Sequence, residues 1–125
     1  MKLEDLQVYS QSIDLAERIW PIVGNLDFFS KDTLGKQLIR AADSISANIS
    51  EGFGRFHYRD NINFLYYSRG SLYETKTWLL KAMKRGLIDL DVYKSLIADI
   101  DDLGVRLNHY IRSIGKTSDL SRPIE

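Results

Sequence analysis

The chain has 125 residues, 44% hydrophobic and 27% charged, and its formal net charge is zero. That length and mixture suit one domain with a real core, and the zero net charge argues against a general polyanion binder. The absence of cysteine excludes disulfides, thiolate metal sites and cysteine nucleophiles, and it suits a reducing compartment, so cytoplasm is the expected location.

The first segment carries Leu6, Tyr9, Ile13, Ala16, Trp20 and Val23 at alternating spacings of three and four, with Asp5 placed to cap it. This predicts a bundle-type helix. Pro21 would remove a backbone bond and clash one turn back, so the helix is expected to kink or stop near Trp20. Gly24 and Asn25 read as a loop, and Phe28 and Phe29 follow in a connector. At least one of that pair should pack on the bundle or on a neighbouring subunit.

Ser30, with Asp32 and Thr33 behind it, is a plausible cap for a second helix whose apolar positions are Leu34, Leu38, Ala41 and Ile45. The next seam position is Asn48, read as a register-fixing polar residue. The small residues Ala41, Ala42 and Ala47 favour close helix approach. Gly52 and Gly54 are expected to end this helix with left-handed or extended backbone. Two glycines two apart resemble a phosphate loop only superficially, because they follow a helix and lack the remaining fingerprint residues, so nucleotide binding is rejected.

A third helix is predicted over Asp60 to Lys84, with a seam of Leu65, Ser68, Leu72, Thr75, Leu79 and Ala82. A second face carries Phe64, Tyr67, Glu74 and Trp78 at the same spacing, with Tyr66 and Tyr73 at its edge. Phe64, Tyr67 and Trp78 are therefore candidate oligomer contacts. Gly70 and Ser71 weaken helicity in mid-helix, which close helix contact would explain.

Gly86 closes that helix and Asp89 caps a fourth, with Tyr93, Leu96, Ile100, Leu103, Leu107, Tyr110 and Ile114 in unbroken three-four alternation. Residues 1–115 thus form an all-α, antiparallel up-down-up-down four-helix bundle, and residues 116–125 a flexible tail. The N-terminal stretch lacks a signal-peptide apolar core, and no run reaches the roughly 18 to 20 apolar residues of a membrane span. No membrane role is expected.

The charges are unevenly spread. Between residues 31 and 85 there are ten Lys and Arg against five acids, 10 − 5 = +5, with the compensating charge in the flanks. Lys36, Arg40, Arg55, Arg59, Lys81, Lys84 and Arg85 are the candidate phosphate contacts on a basic face, although such segregation also occurs without any nucleic-acid partner.

Catalytic chemistry has little to stand on. His57 and His109 lack metal-ligand spacing, no Glu-x-x-His pair exists, and Ser44, Ser46 and Ser50 have no visible base. Glu51 and Glu74 read more simply as salt-bridge partners for Arg40, Arg55 and Arg69 than as an acid/base pair. The chain is read as non-enzymatic, without metal or cofactor.

The run LIRAADSISANISEGFGR, preceded by LEDLQVYSQSIDLA and followed by NFLYYSRGSLYETKTWL, resembles the four-helix-bundle family encoded by intervening sequences in bacterial 23S rRNA genes. The likeness runs from about Leu3 to Gly86, and the fourth helix agrees in pattern only. It rests on Arg-Ala-Ala-x-Ser-Ile-x-Ala-Asn-Ile-x-Glu-Gly-x-Gly-Arg and Arg-Gly-Ser-x-x-Glu, which place Arg40, Asn48, Glu51, Gly52, Gly54, Arg55, Arg69, Gly70, Ser71 and Glu74 on the family motif. Ser46 stands where the family commonly has proline, and Tyr67 and Ser68 also depart from it. The resemblance implies a ring-like homopentamer. It also implies kinship with accessory proteins of diversity-generating retroelements, which bind nucleic acid and a reverse transcriptase. Expected partners are therefore the chain itself, RNA or DNA, and a reverse transcriptase or ribosomal component. The alternative is a purely protein-binding scaffold whose arginines form salt bridges within or between subunits.

Overall fold

The computed structural model describes the backbone of residues 1–121 and the side chains of residues 1–116. A 3-10 turn, Leu3–Asp5, leads into α1, Gln7–Gly24. The next helix begins as a single turn, Phe28–Ser30, widens into a π-turn over Lys31–Gly35 and continues as α2, Lys36–Phe53. Then come α3, Tyr58–Lys84, and α4, Leu90–Ser121. Consecutive helices pack together and α1 closes the ring against α4, which gives the expected antiparallel four-helix bundle. The expected tail falls partly inside α4, which runs through Gly115 to Ser121, and partly on residues 122–125, outside the described residues.

The α3 seam is as the spacing predicts: Leu65, Ser68, Leu72, Thr75, Leu79 and Ala82 are all buried, with Asn61 one turn earlier. In α4 the buried line is Leu96, Ile100, Leu103, Leu107, Ile111 and Ile114. Two ends follow expectation as well. Gly86 adopts φ +71, and Leu87 N–H donates to Ala82 O while Gly86 N–H donates to Met83 O, the paired bonds of a Schellman stop. Helix α4 starts directly after Asp89, whose carbonyl accepts from Tyr93 N–H at 2.9 Å.

The first helix differs. Its buried line is Val8, Ser12, Leu15, Ala16, Ile19 and Val23, rotated by about one residue from the predicted face, so Ile13 is half-buried and Trp20 is 62% exposed. Pro21 neither stops nor ends α1. Pro21 and Glu17, whose carbonyl loses its partner, both lie on the exposed side, where water can replace the missing bond. Asp5 caps nothing in α1 and instead accepts from Lys2 N–H at 3.1 Å.

The second helix begins earlier than expected, because Asp27 and not Ser30 is its cap. Asp27 Oδ1 accepts from Ser30 N–H at 2.9 Å and Oδ2 from the Ser30 hydroxyl at 2.8 Å. These bonds hold the Asp27 carboxyl below its usual range. Phe28 and Phe29 then sit on its first turn, 81% and 74% exposed, so neither packs on its own bundle. Gly35 explains how the π-turn fits: a β-carbon there would meet Val23 Cγ1 at 2.8 Å, so α1 passes against bare backbone.

Polar ties cross the helix pairs. Gln11 Nε2 donates to Asp102 Oδ2 at 2.6 Å, Arg18 pairs with Asp99, and Lys76 Nζ donates to Asp101 Oδ1 at 2.7 Å. Asp102 is held below the usual carboxylate range by Arg106 and Gln11, and Lys76 is pushed up by its bond to Asp101. No helix among the described residues is long and apolar enough to cross a membrane.

Candidate functional site

The joint between α2 and α3 holds most of the first family motif. Gly52 is buried, and a β-carbon on it would lie 2.7 Å from Asn61 Oδ1 and 2.9 Å from Phe64 Cβ. Its role is close approach of α3, not the left-handed or extended ending expected of it. Gly54 likewise stays in right-handed helical space, at φ −76 and ψ −4. Asn48 is not a register device. It is half-buried and its Nδ2 donates to Ser44 O at 2.9 Å within its own helix, while Ile49, four residues after Ile45, fills the seam. The buried polar residues at this joint are Ser68, on the predicted α3 seam, and Asn61, one turn earlier, which the spacing does not single out. Ser68 Oγ donates to Ile45 O at 2.8 Å, and Asn61 Oδ1 is buried without a partner.

Arg55 closes the joint. Its Nη2 donates to Glu51 Oε1 at 3.0 Å, and its guanidinium lies 4.8 Å over the Phe64 ring, which in turn meets Tyr67 edge-on at 5.6 Å. The turn therefore aims Arg55 at the start of α3, in an exposed pair of modest strength.

The second motif, Arg69 to Glu74, lies along α3. Arg69 Nη1 donates to Asn108 Oδ1 at 3.0 Å and the guanidinium stacks 4.9 Å from the Tyr66 ring. Ser71 O accepts from the Thr75 hydroxyl at 2.8 Å, and Glu74 Oε2 accepts from Trp78 Nε1 at 3.1 Å. Glu51 and Glu74 thus serve different partners, and only Glu51 pairs with an arginine. Close contact does not explain Gly70: nothing lies within 4 Å of a β-carbon placed there. It sits instead on the outer face of α3, between Tyr67, 60% exposed, and Tyr73, 62% exposed. Of the predicted oligomer contacts, Tyr67 is on that face, whereas Phe64 and Trp78 are half-buried at its margins.

The seven basic candidates separate into two groups. Arg55 and Arg59 belong to the α2–α3 joint. Lys36 and Arg40, at the start of α2, and Lys81, Lys84 and Arg85, at the end of α3, belong to the other end of the bundle. Lys36 and Arg55 are about 28 Å apart along the helix at roughly 1.5 Å per residue. Lys36 is paired with Asp32 at 2.6 Å, and Lys81 Nζ lies 4.7 Å from the Trp78 ring. A recess at this end is lined by Thr33, Leu34, Gln37, Trp78, Lys81 and Arg85. Beside it, α1 and α2 frame a groove of about 500 Å³ lined by Trp20, Val23, Gly24, Lys31, Gly35, Lys36, Ile39 and Arg40. Trp20 and Lys31 are not among the residues the charge pattern singles out, and Trp20, which the helical spacing predicts on the packed face, is exposed here.

The titratable groups do not gather into a reactive set. His57 occupies the N-cap position of α3 against the Phe56 ring, and no group of three or more His, Asp or Glu among the described residues could hold a metal ion. Tyr110 is pushed up by burial, an effect its hydrogen bond with Asn61 partly opposes, and this is a packing effect in the bundle.

Comparison with known proteins accords with this architecture. A crystal structure of a protein of unknown function from the S23 ribosomal protein family, from Bacteroides thetaiotaomicron, is similar at 27% identity with a TM-score of 0.75. The match covers 83% of this chain and 97% of that one. Comparison with curated proteins yields no match. Residues 4–109 match the sequence pattern of the 23S rRNA-intervening sequence proteins, a span that includes both motifs and the greater part of all four helices. The chain belongs to the 23S rRNA-intervening sequence protein family.

Proposed function

We propose that this protein is a non-enzymatic, homo-oligomeric interaction module that self-associates through the outer face of α3 and contacts RNA or a ribonucleoprotein through the basic end of the bundle. The observation that carries this reading is Gly70. A glycine costs helix stability of up to about 1 kcal/mol relative to alanine, and this one has open space around it in the middle of a tyrosine-bearing stripe. A neighbouring helix that approaches the bare backbone, with Tyr66, Tyr67 and Tyr73 packed around it, accounts for both features. The family resemblance favours a pentameric ring.

Nucleic-acid contact is supported by Arg40, Lys84 and Arg85, which have no ion pair among the described residues and lie at one end of the bundle. Arg55 is compensated by Glu51 and lies at the opposite end, so it and Arg59 serve the joint in this reading. The scaffold alternative draws on that intrahelical pair. The two are separated by Arg40→Ala with Arg55→Ala: an RNA-binding role predicts intact oligomers with weakened RNA binding, and the scaffold predicts dissociation. Electrophoretic retardation of an RNA probe, steeply weakened by salt, is the expected result for the protein itself. No retardation even at low salt would overturn the nucleic-acid part.

A further inference from the structure

We infer that the groove between the end of α1 and the start of α2 is a stacking site for an unpaired nucleotide of a single strand. This rests on the nucleic-acid reading above and assigns it a place. The groove holds about 500 Å³, the size class of a site for one small planar group. Its wall is apolar and includes Val23, Ile39 and the indole of Trp20, which stays 62% exposed although a tryptophan ordinarily gains by burial. Lys31, Lys36 and Arg40 stand on its rim, and of these only Lys36 has a carboxylate partner among the described residues, Asp32.

The occupant must therefore offer a flat apolar body and negative charge at its edge. A base stacked on Trp20 with its phosphates against Lys31 and Arg40 meets both demands, and it needs no base-specific donor, which the groove does not supply. An aliphatic acidic peptide would match the charge but not the flat surface. Double-stranded nucleic acid would leave Trp20 without a partner, since its bases are already stacked.

The π-turn over Lys31–Gly35 sets the geometry. It rotates Lys31 relative to Lys36 and Arg40 away from a regular helical row, and Gly35 lets α1 come close enough for Val23 to form part of the wall.

The test uses the full chain and a labelled single-stranded RNA of about ten nucleotides at low salt, with a duplex of the same length and a poly-glutamate peptide as competitors. Anisotropy gives affinity, and intrinsic fluorescence in a Trp78→Phe background reports on Trp20 alone. The expected results are quenching of Trp20 by the single strand and about ten-fold weaker binding by Trp20→Ala, with oligomeric state and melting temperature unchanged. Arg40→Gln is expected to weaken binding and flatten its salt dependence. Retention of full affinity by Trp20→Ala overturns the site while leaving the nucleic-acid reading standing. Absence of binding to any nucleic acid overturns both. Tighter displacement by the peptide, or equal preference for the duplex, also overturns the site.

Discussion

Gly52 and Asn61 face each other where α2 meets α3, so closely that a β-carbon on the glycine would sit 2.7 Å from the Asn61 carboxamide oxygen. Backbone stands behind that side chain, with Asn61 O at 3.0 Å from the same point, so the contact cannot be relieved by one rotamer change. Gly52→Ala is expected to destabilise by about 1–3 kcal/mol, the usual cost of overpacking. That corresponds to a fall in Tm of roughly 5–15 °C. Gly54→Ala is the control: its nearest neighbours are at 3.7 Å and its φ is −76, so calorimetry should find it neutral or slightly stabilising.

A second joint contact is the bond from the fully buried Ser68 hydroxyl to Ile45 O at 2.8 Å. That carbonyl lies inside α2, so Ser68→Ala leaves it with its helical partner and removes only the interhelical bond. Chemical denaturation should show a loss of about 0.5–1.5 kcal/mol. Ser68→Leu should cost more, because the seam has no room for the added volume.

The pH dependence follows from Asp27 and Asp102, both held below the ordinary carboxylate range by bonds to their charged forms. Such groups stabilise the fold above their unfolded value of about 3.9 and lose that contribution as pH falls through the folded value. Tm should be level across neutral pH and drop in acid below about pH 4. Asp27→Asn keeps an N-cap acceptor without titrating, and should flatten part of the acid limb. Lys76, raised by Asp101, adds stability that is lost in strong alkali as pH climbs through its folded value.

The bundle is legible in the sequence because three of its four seams keep a three-four period in which Leu or Ile recurs at least every second step. The buried face of α1 differs by one position from the line its spacing predicts because Ser12 lies in its seam. The Ser12 hydroxyl is satisfied by Tyr9 O at 2.7 Å, so it is buried at little cost, and its polarity made the line through Ile13 and Trp20 look better. The same rotation hid the groove. Asn48 was misplaced because three-residue and four-residue steps from Ile45 are equally regular, and only packing selects Ile49. The π-turn depends on Gly35 against Val23, a contact between separate helices that no local pattern encodes. The charge count treats residues 31–85 as one basic segment, but the roughly 28 Å from Lys36 to Arg55 puts Arg55 at the α2–α3 joint and Lys36 at the other end of the bundle.

Gly70→Ala separates fold from assembly. With nothing within 4 Å, the added methyl should leave the monomer intact and raise its helix stability by up to about 1 kcal/mol. It should also weaken self-association, which dilution monitored by light scattering would show as dissociation at higher concentration than for the parent chain.

Sedimentation velocity of the parent chain beside Gly70→Glu tests self-association through α3 most directly. A discrete oligomer for the parent, a pentamer by family resemblance, and a folded, helical monomer for the variant are the predicted results. A monomeric parent at high micromolar concentration, or a variant that assembles as the parent does, would contradict the account.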